Sequence, residues 1–118
     1  MVSMGQLTTH LLDTANGVPA ANVAIRLFGL TEGRPLLASV TSNKDGRTES
    51  PLLDAETMRS GEYELEFDVG DYFQACGADI AEPAFLNTVV IRFAARADEH
   101  YHVPLLFSPW SYSTYRGS

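Results

Sequence analysis

Three histidines, one well-placed arginine and an unusual chain end are the side chains here that could do chemistry. His10 sits in Leu7-Thr-Thr-His10-Leu-Leu-Asp-Thr14, and Arg47 in Asn43-Lys-Asp-Gly-Arg47-Thr48. His100 and His102 open His100-Tyr-His-Val-Pro104, and the chain ends Tyr115-Arg116-Gly117-Ser118. A neutral imidazole is the natural base for water near pH 7. Arginine suits a planar anion, because its rigid fork offers paired donors. A C-terminal serine sets a hydroxyl beside a free carboxylate, and Gly117 lets the end turn. Each has a plain alternative. A histidine in the middle of a strand can be a solvated side chain, and so can an arginine just past a turn. Chain ends are usually frayed and tolerant of any sequence. This one keeps aromatic and β-branched residues almost to its last atom.

Other chemistries find little support. His100 and His102, two apart on a strand, could share a metal, but no HxxxH or clustered-cysteine spacing accompanies them. No metal or cofactor is expected. No glycine-rich phosphate loop or serine nucleophile elbow is present. The one cysteine, Cys76, rules out an intrachain disulfide. It reads as a small buried residue in a helix rather than a nucleophile, with no basic residue near it in sequence.

The elements that must position these groups follow from a period of two. Residues Gln6 to Asp13 form a strand, with Leu7, Thr9 and Leu11 on one face and Thr8, His10 and Leu12 on the other. Ala15 to Pro19 is a turn cluster. Asn22 to Phe28 turns Val23, Ile25 and Leu27 inward. Leu36 to Thr41 is a short strand, and Asn43 to Gly46 is a tight turn that delivers Arg47. Glu62 to Asp68 alternates Tyr63, Leu65 and Phe67 inward with acids outward. Gly70 to Gly77 breaks the alternation and reads as a helix of about two turns. Thr88 to Phe93 is the next strand. In Tyr101 to Phe107, residues Tyr101, Val103, Leu105 and Phe107 share one face; His102, Pro104 and Leu106 share the other. That second face is apolar apart from its imidazole, so a neighbouring subunit is expected to cover it. After the Ser108-Pro109 break, Trp110 to Gly117 makes the last strand. Seven or eight short strands and one helix predict an antiparallel β-sandwich.

Composition agrees with one domain spanning residues 1–118. Hydrophobic residues make up 45% and charged residues 19%, a globular balance. With Lys+Arg 8 against Asp+Glu 15, the net charge is −7, which argues against nucleic acid and against a polybasic membrane patch. No apolar run approaches a membrane span, and residues Met1 to Gln6 lack the apolar stretch of a secretory leader. A reducing, cytoplasmic setting is expected.

Four motifs in order carry a resemblance. They are Leu7-Thr-Thr-His10-Leu-Leu-Asp-Thr14, Gly17-Val-Pro-Ala-Ala-Asn-Val23, Asn43-Lys-Asp-Gly-Arg47-Thr48 and Tyr115-Arg116-Gly117-Ser118. Together they resemble the transthyretin-like family of 5-hydroxyisourate hydrolases. The resemblance implies a transthyretin-like sandwich with a short helix after the fifth strand. It implies hydrolysis of 5-hydroxyisourate to 2-oxo-4-hydroxy-4-carboxy-5-ureidoimidazoline, in urate degradation, without a cofactor. It also implies a homotetramer, a dimer of dimers with its sites at subunit interfaces. His10, Arg47, His102 and Ser118 would be catalytic. His10, Arg47, Tyr115, Arg116 and Ser118 would contact the substrate. Which histidine is the base stays open at this level. A transthyretin-type carrier of a small aromatic ligand, or a structural module, would keep the fold but would not need this set of polar groups.

Overall fold

Alternation of apolar and polar residues along most of the chain sorts it into two sheets with their apolar faces together. The structure, a computed structural model, describes residues 5–117. Its elements are β1 (Gln6–Asp13), β2 (Val18–Pro19), β3 (Ala24–Gly29), β4 (Leu36–Thr41), β5 (Gly61–Phe67), α1 (Val69–Ala75), β6 (Val89–Ala95), β7 (His100–Phe107) and β8 (Tyr112–Ser113). The strand order is β2-β1-β7-β8 in one sheet and β4-β3-β5-β6 in the other. We call these the histidine sheet and the acidic sheet.

Leu7 and Leu11 of β1, Ile25 and Leu27 of β3, Leu65 and Phe67 of β5, and Leu105 and Phe107 of β7 are fully buried between the sheets. Burying such a side chain is worth about 1.5–3 kcal/mol. The helix closes one part of this core. Tyr72 and Phe73 pack edge-on against Phe107, with ring centroids 5.6 and 5.5 Å away. The Tyr72 hydroxyl donates to Asp13 Oδ2 at 2.8 Å. Asp13 Oδ1 accepts the backbone N–H groups of Ala15 and Asn16. That buried carboxylate ties the end of β1 to the following turn and to the helix.

Four expectations need correcting. The sandwich is antiparallel except at one pair, because β1 runs parallel to β7 from Gln6↔His100 to Asp13↔Phe107. The chain crosses to the acidic sheet between these strands, so no hairpin fixes their relative direction. The turn cluster at Ala15–Pro19 contains the short β2, paired with Leu12 and Asp13. The last strand is shorter than Trp110–Gly117. Only Tyr112 and Ser113 pair as a strand, with a separate bridge between His102 and Gly117. The interruption falls opposite Pro104, which has no N–H to donate; the Thr114 hydroxyl takes the Pro104 carbonyl instead, at 2.7 Å. Finally, Cys76 is exposed rather than buried. The helix ends at Ala75, and the next residue is its cap, beyond the buried side formed by Val69, Tyr72 and Phe73.

Candidate active site

The outer face of the histidine sheet gathers the polar groups. Parity along β1 turns Thr8, His10 and Leu12 outward, half-exposed, while Leu7, Thr9, Leu11 and Asp13 are buried. On β7 the same parity puts His102, Pro104 and Leu106 on the outer face, where His102 and Leu106 are half-buried and Pro104 is buried. The parallel register sets Thr8 beside His102 and His10 beside Pro104.

A loop then brings Arg47 to this face. The free edge of β1 is closed by residues from 46 to 53: Leu11 N–H donates to the Gly46 carbonyl at 2.8 Å, and Leu7 N–H to the Leu53 carbonyl at 2.9 Å. Asn43 shapes the turn. Its Oδ1 accepts the N–H groups of Asp45 and Arg47, at 2.9 and 3.1 Å. Gly46 has φ +75, and a Cβ there would lie 2.3 Å from the Leu11 carbonyl oxygen. Only glycine allows this approach of loop to strand. The approach also sets the Asp45 carbonyl 2.9 Å from His10 Nε2. A carbonyl only accepts, so His10 carries its hydrogen on Nε2, and its Nδ1 is the open acceptor of the neutral ring.

His102 is the electrostatic centre of the group. Burial first, then the Arg47 charge, then His10, hold its pKa below the ordinary 6.5. All three causes disfavour a second positive charge, so His102 is neutral at pH 7. Its Nδ1 lies 2.9 Å from the Thr8 hydroxyl. Arg47 and Thr8 also line a cavity of about 190 Å³ with Thr48, Glu49, Ser50 and Pro51.

The structure therefore brings His10, Arg47 and His102 together. The C-terminal segment joins them through Gly117, whose N–H donates to the His102 carbonyl at 2.7 Å and whose carbonyl accepts His102 N–H at 3.1 Å. Counting between the Leu106↔Ser113 and His102↔Gly117 pairs sets exposed Tyr115 opposite Pro104. Arg116 is placed elsewhere. Its guanidinium donates to Glu99 Oε2 at 3.0 Å and to the His100 carbonyl at 3.1 Å, and lies over the Tyr101 ring. Tyr101 belongs to the opposite face of β7 from His102, so Arg116 fastens the chain end from the inner side. Ser118 lies outside the described residues. His100 is exposed at the start of β7. Thr8 is the polar contact that residue type alone did not single out; its shared parity with His10 was the available signal. Among the described residues no three His, Cys, Asp or Glu side chains are grouped to hold a metal, and no helix is long and apolar enough to cross a membrane.

Known proteins match this chain along nearly its whole length. The 5-hydroxyisourate hydrolase of Ralstonia nicotianae is 56% identical over 117 residues, 98% of this chain and 100% of that protein. The structure of Klebsiella pneumoniae 5-hydroxyisourate hydrolase has a TM-score of 0.80 at 32% identity, over 98% of this chain and 100% of that one. A crystal structure of (S)-allantoin synthase has a TM-score of 0.95 at 44% identity; the match covers 99% of this chain and 45% of that longer chain. The HIUase/Transthyretin family matches residues 7–117, and the chain belongs to it.

Proposed function

We propose that this protein hydrolyses 5-hydroxyisourate to 2-oxo-4-hydroxy-4-carboxy-5-ureidoimidazoline, a step of urate breakdown. The observation that carries the reading is a histidine held neutral beside a second histidine and an arginine on one open sheet face. A neutral imidazole at pH 7 can take a proton from water. In the proposed reaction His102 accepts that proton as the water oxygen adds to a ring carbonyl. Arg47 holds the oxyanion that forms. The ring C–N bond then breaks, the departing nitrogen takes a proton through the two histidines, and the carbonyl carbon becomes a carboxylate. Tyr115 flanks the flat ring, Arg116 holds the chain end in place, and Ser118, by its hydroxyl or its carboxylate, orients water or a histidine. No cofactor enters these steps.

Assembly is part of the same proposal: a homotetramer, a dimer of dimers, with each site at a contact between subunits. Two features support it. Half-buried Leu12 and Leu106 share the outer face with the histidines, a face that water alone would cover poorly. The open edges at β6 and the C-terminal segment also flank one cavity of about 380 Å³, lined by Ile91, Phe93, Tyr101, Val103 and Thr114, which suits edge-to-edge pairing. Sedimentation of the active protein is expected to give four chains; a fully active monomer would overturn this part. A cytoplasmic location belongs to the proposal too, since the exposed Cys76 thiol fits a reducing compartment; cell fractionation tests it.

The central test is the ultraviolet decay of freshly generated 5-hydroxyisourate with and without the protein. Acceleration is expected. Decay at the spontaneous rate, with the compound bound but unchanged, would instead indicate a carrier.

A further inference from the structure

Thr8 and Thr9 are adjacent and chemically identical, yet the fold uses them differently. Thr9 points inward, and its hydroxyl donates to the Val103 carbonyl at 2.7 Å, as a buried hydroxyl must find a partner. Thr8 points outward, directly across the parallel ladder from His102, with its hydroxyl 2.9 Å from Nδ1. We infer that Thr8 is a positioning residue: its hydroxyl accepts the Nδ1–H of His102 and so leaves the lone pair of that ring on Nε2. This rests on the proposed role of His102 as the base.

Two arguments fix the direction of the bond. A hydroxyl can donate or accept, and neutral imidazole has one nitrogen of each kind. When His102 takes a proton, both ring nitrogens become donors, and only an accepting Thr8 is then compatible with the 2.9 Å contact. If Thr8 accepts in the resting state as well, the contact survives proton transfer without rearrangement. Were Thr8 the donor, Nε2 would already carry hydrogen, and the proton could not be taken there. Room for the accepting arrangement also exists. Thr8 borders the cavity of about 190 Å³ beside Arg47, so its own hydrogen can turn to water or substrate. His10 is held the opposite way, through Nε2–H to the Asp45 carbonyl. The two rings thus present different nitrogens, Nε2 of His102 and Nδ1 of His10, each fixed by a partner on the other nitrogen.

The test uses the full chain with ¹⁵N-labelled histidine. Long-range ¹H–¹⁵N correlations report which nitrogen of each of the three histidines carries hydrogen. The wild type is expected to show hydrogen on Nδ1 of His102. Thr8→Val keeps the shape but cannot accept; it should move hydrogen to Nε2 and lower kcat about 10- to 100-fold, by analogy with the loss when a partner that orients a metal-ligating histidine is removed, with KM little changed. Thr8→Ser should restore both tautomer and kcat. Hydrogen found on Nε2 of His102 in the wild type would overturn the inference even if no variant folds. So would a folded Thr8→Val protein with full kcat. If the wild type fails to accelerate hydroxyisourate decay, the functional reading falls, while the tautomer measurement still decides the role of Thr8.

Discussion

The two outer faces of this sandwich are built on the same strand period and the same shared core, yet they treat charge in opposite ways. On the acidic sheet, charge is matched across strands. Arg26 donates to Glu66 at 3.0 Å and to both carboxylate oxygens of Asp68, at 2.7 and 2.8 Å. Arg34 reaches Glu64 at 2.7 Å and Glu66 at 2.9 Å, and lies over the Phe28 ring. Arg92 reaches Glu64 at 3.2 Å. These hydrogen bonds raise the Arg26 pKa and lower those of Glu64 and Asp68, so all three of these groups are charged near neutrality. On the histidine sheet, Arg47 forms no ion pair among the described residues, and burial and the Arg47 charge hold the His102 pKa down. A face whose charges are paired internally has no unmet electrostatic demand for a ligand. A face with a cation, a neutral base and apolar flanks does. On the proposed function, the difference leaves stability to one side and chemistry to the other.

The largest expected effect breaks the histidine sheet alone. Replacing His102 or Arg47 by Ala should lower kcat/KM by about 10²–10⁴-fold while thermal melting stays near that of the wild type, because both side chains lie on the outer face, away from the core. Steady-state kinetics and melting curves on the same samples check it. Near-normal turnover in either variant would remove the asymmetry between the faces.

Protonation offers a reversible version of the same break. The folded pKa of His102 lies below 6.5, so the acid limb of kcat/KM should fall at a pH lower than 6.5, not at it. The sign for stability follows. The unfolded chain binds this proton at higher pH than the folded one, so the contribution is complete above 6.5 and is lost as pH falls through the folded value. Arg47→Ala removes one cause of the depression and should move the acid limb upward. An unmoved limb would show that Arg47 does not act on His102.

Tyr72 provides a break in the shared core that should touch stability and spare the chemistry. Burial pushes Asp13 up, but hydrogen bonds from the Asn16 side chain, the Tyr72 hydroxyl and two backbone N–H groups outweigh it and lower its pKa. Tyr72→Phe removes one bond to a carboxylate, which costs about 1.5–3 kcal/mol. Denaturant unfolding should record that loss at pH 7. The loss should shrink in acid once Asp13 is protonated, since the stability this carboxylate adds is present above its unfolded value and fades as pH falls through the folded one.

Much of this was legible in the chain because parity along a strand is a local property. The faces of β1, β5 and β7 follow from residues two apart, and so does the outward placing of His10 and His102. What was not legible depends on distant partners. The parallel pairing of β1 with β7 is set by a crossover between sheets. The break in the last strand comes from Pro104, a residue of the neighbouring strand. The direction of Arg116 is decided by Glu99 and Tyr101, and Cys76 is exposed because the helix stops one residue earlier. Thr8 was placed on the correct face, but its partner lies across a ladder that sequence does not display.

The smallest expected effect comes from trimming the rim of the acidic lattice. The Arg92 side chain is 65% exposed, and the carboxylate it meets keeps the shorter bond from Arg34. Exposed pairs of this kind contribute little and are screened by salt. Arg92→Ala should therefore shift Tm by no more than about 4 °C, less in high salt, and leave kcat and KM unchanged. Differential scanning fluorimetry across a salt series, with kinetics alongside, measures both. A clear fall in kcat would mean that the two faces are coupled through the core. The division of labour between the sheets would then fail at the position where it predicts the least change.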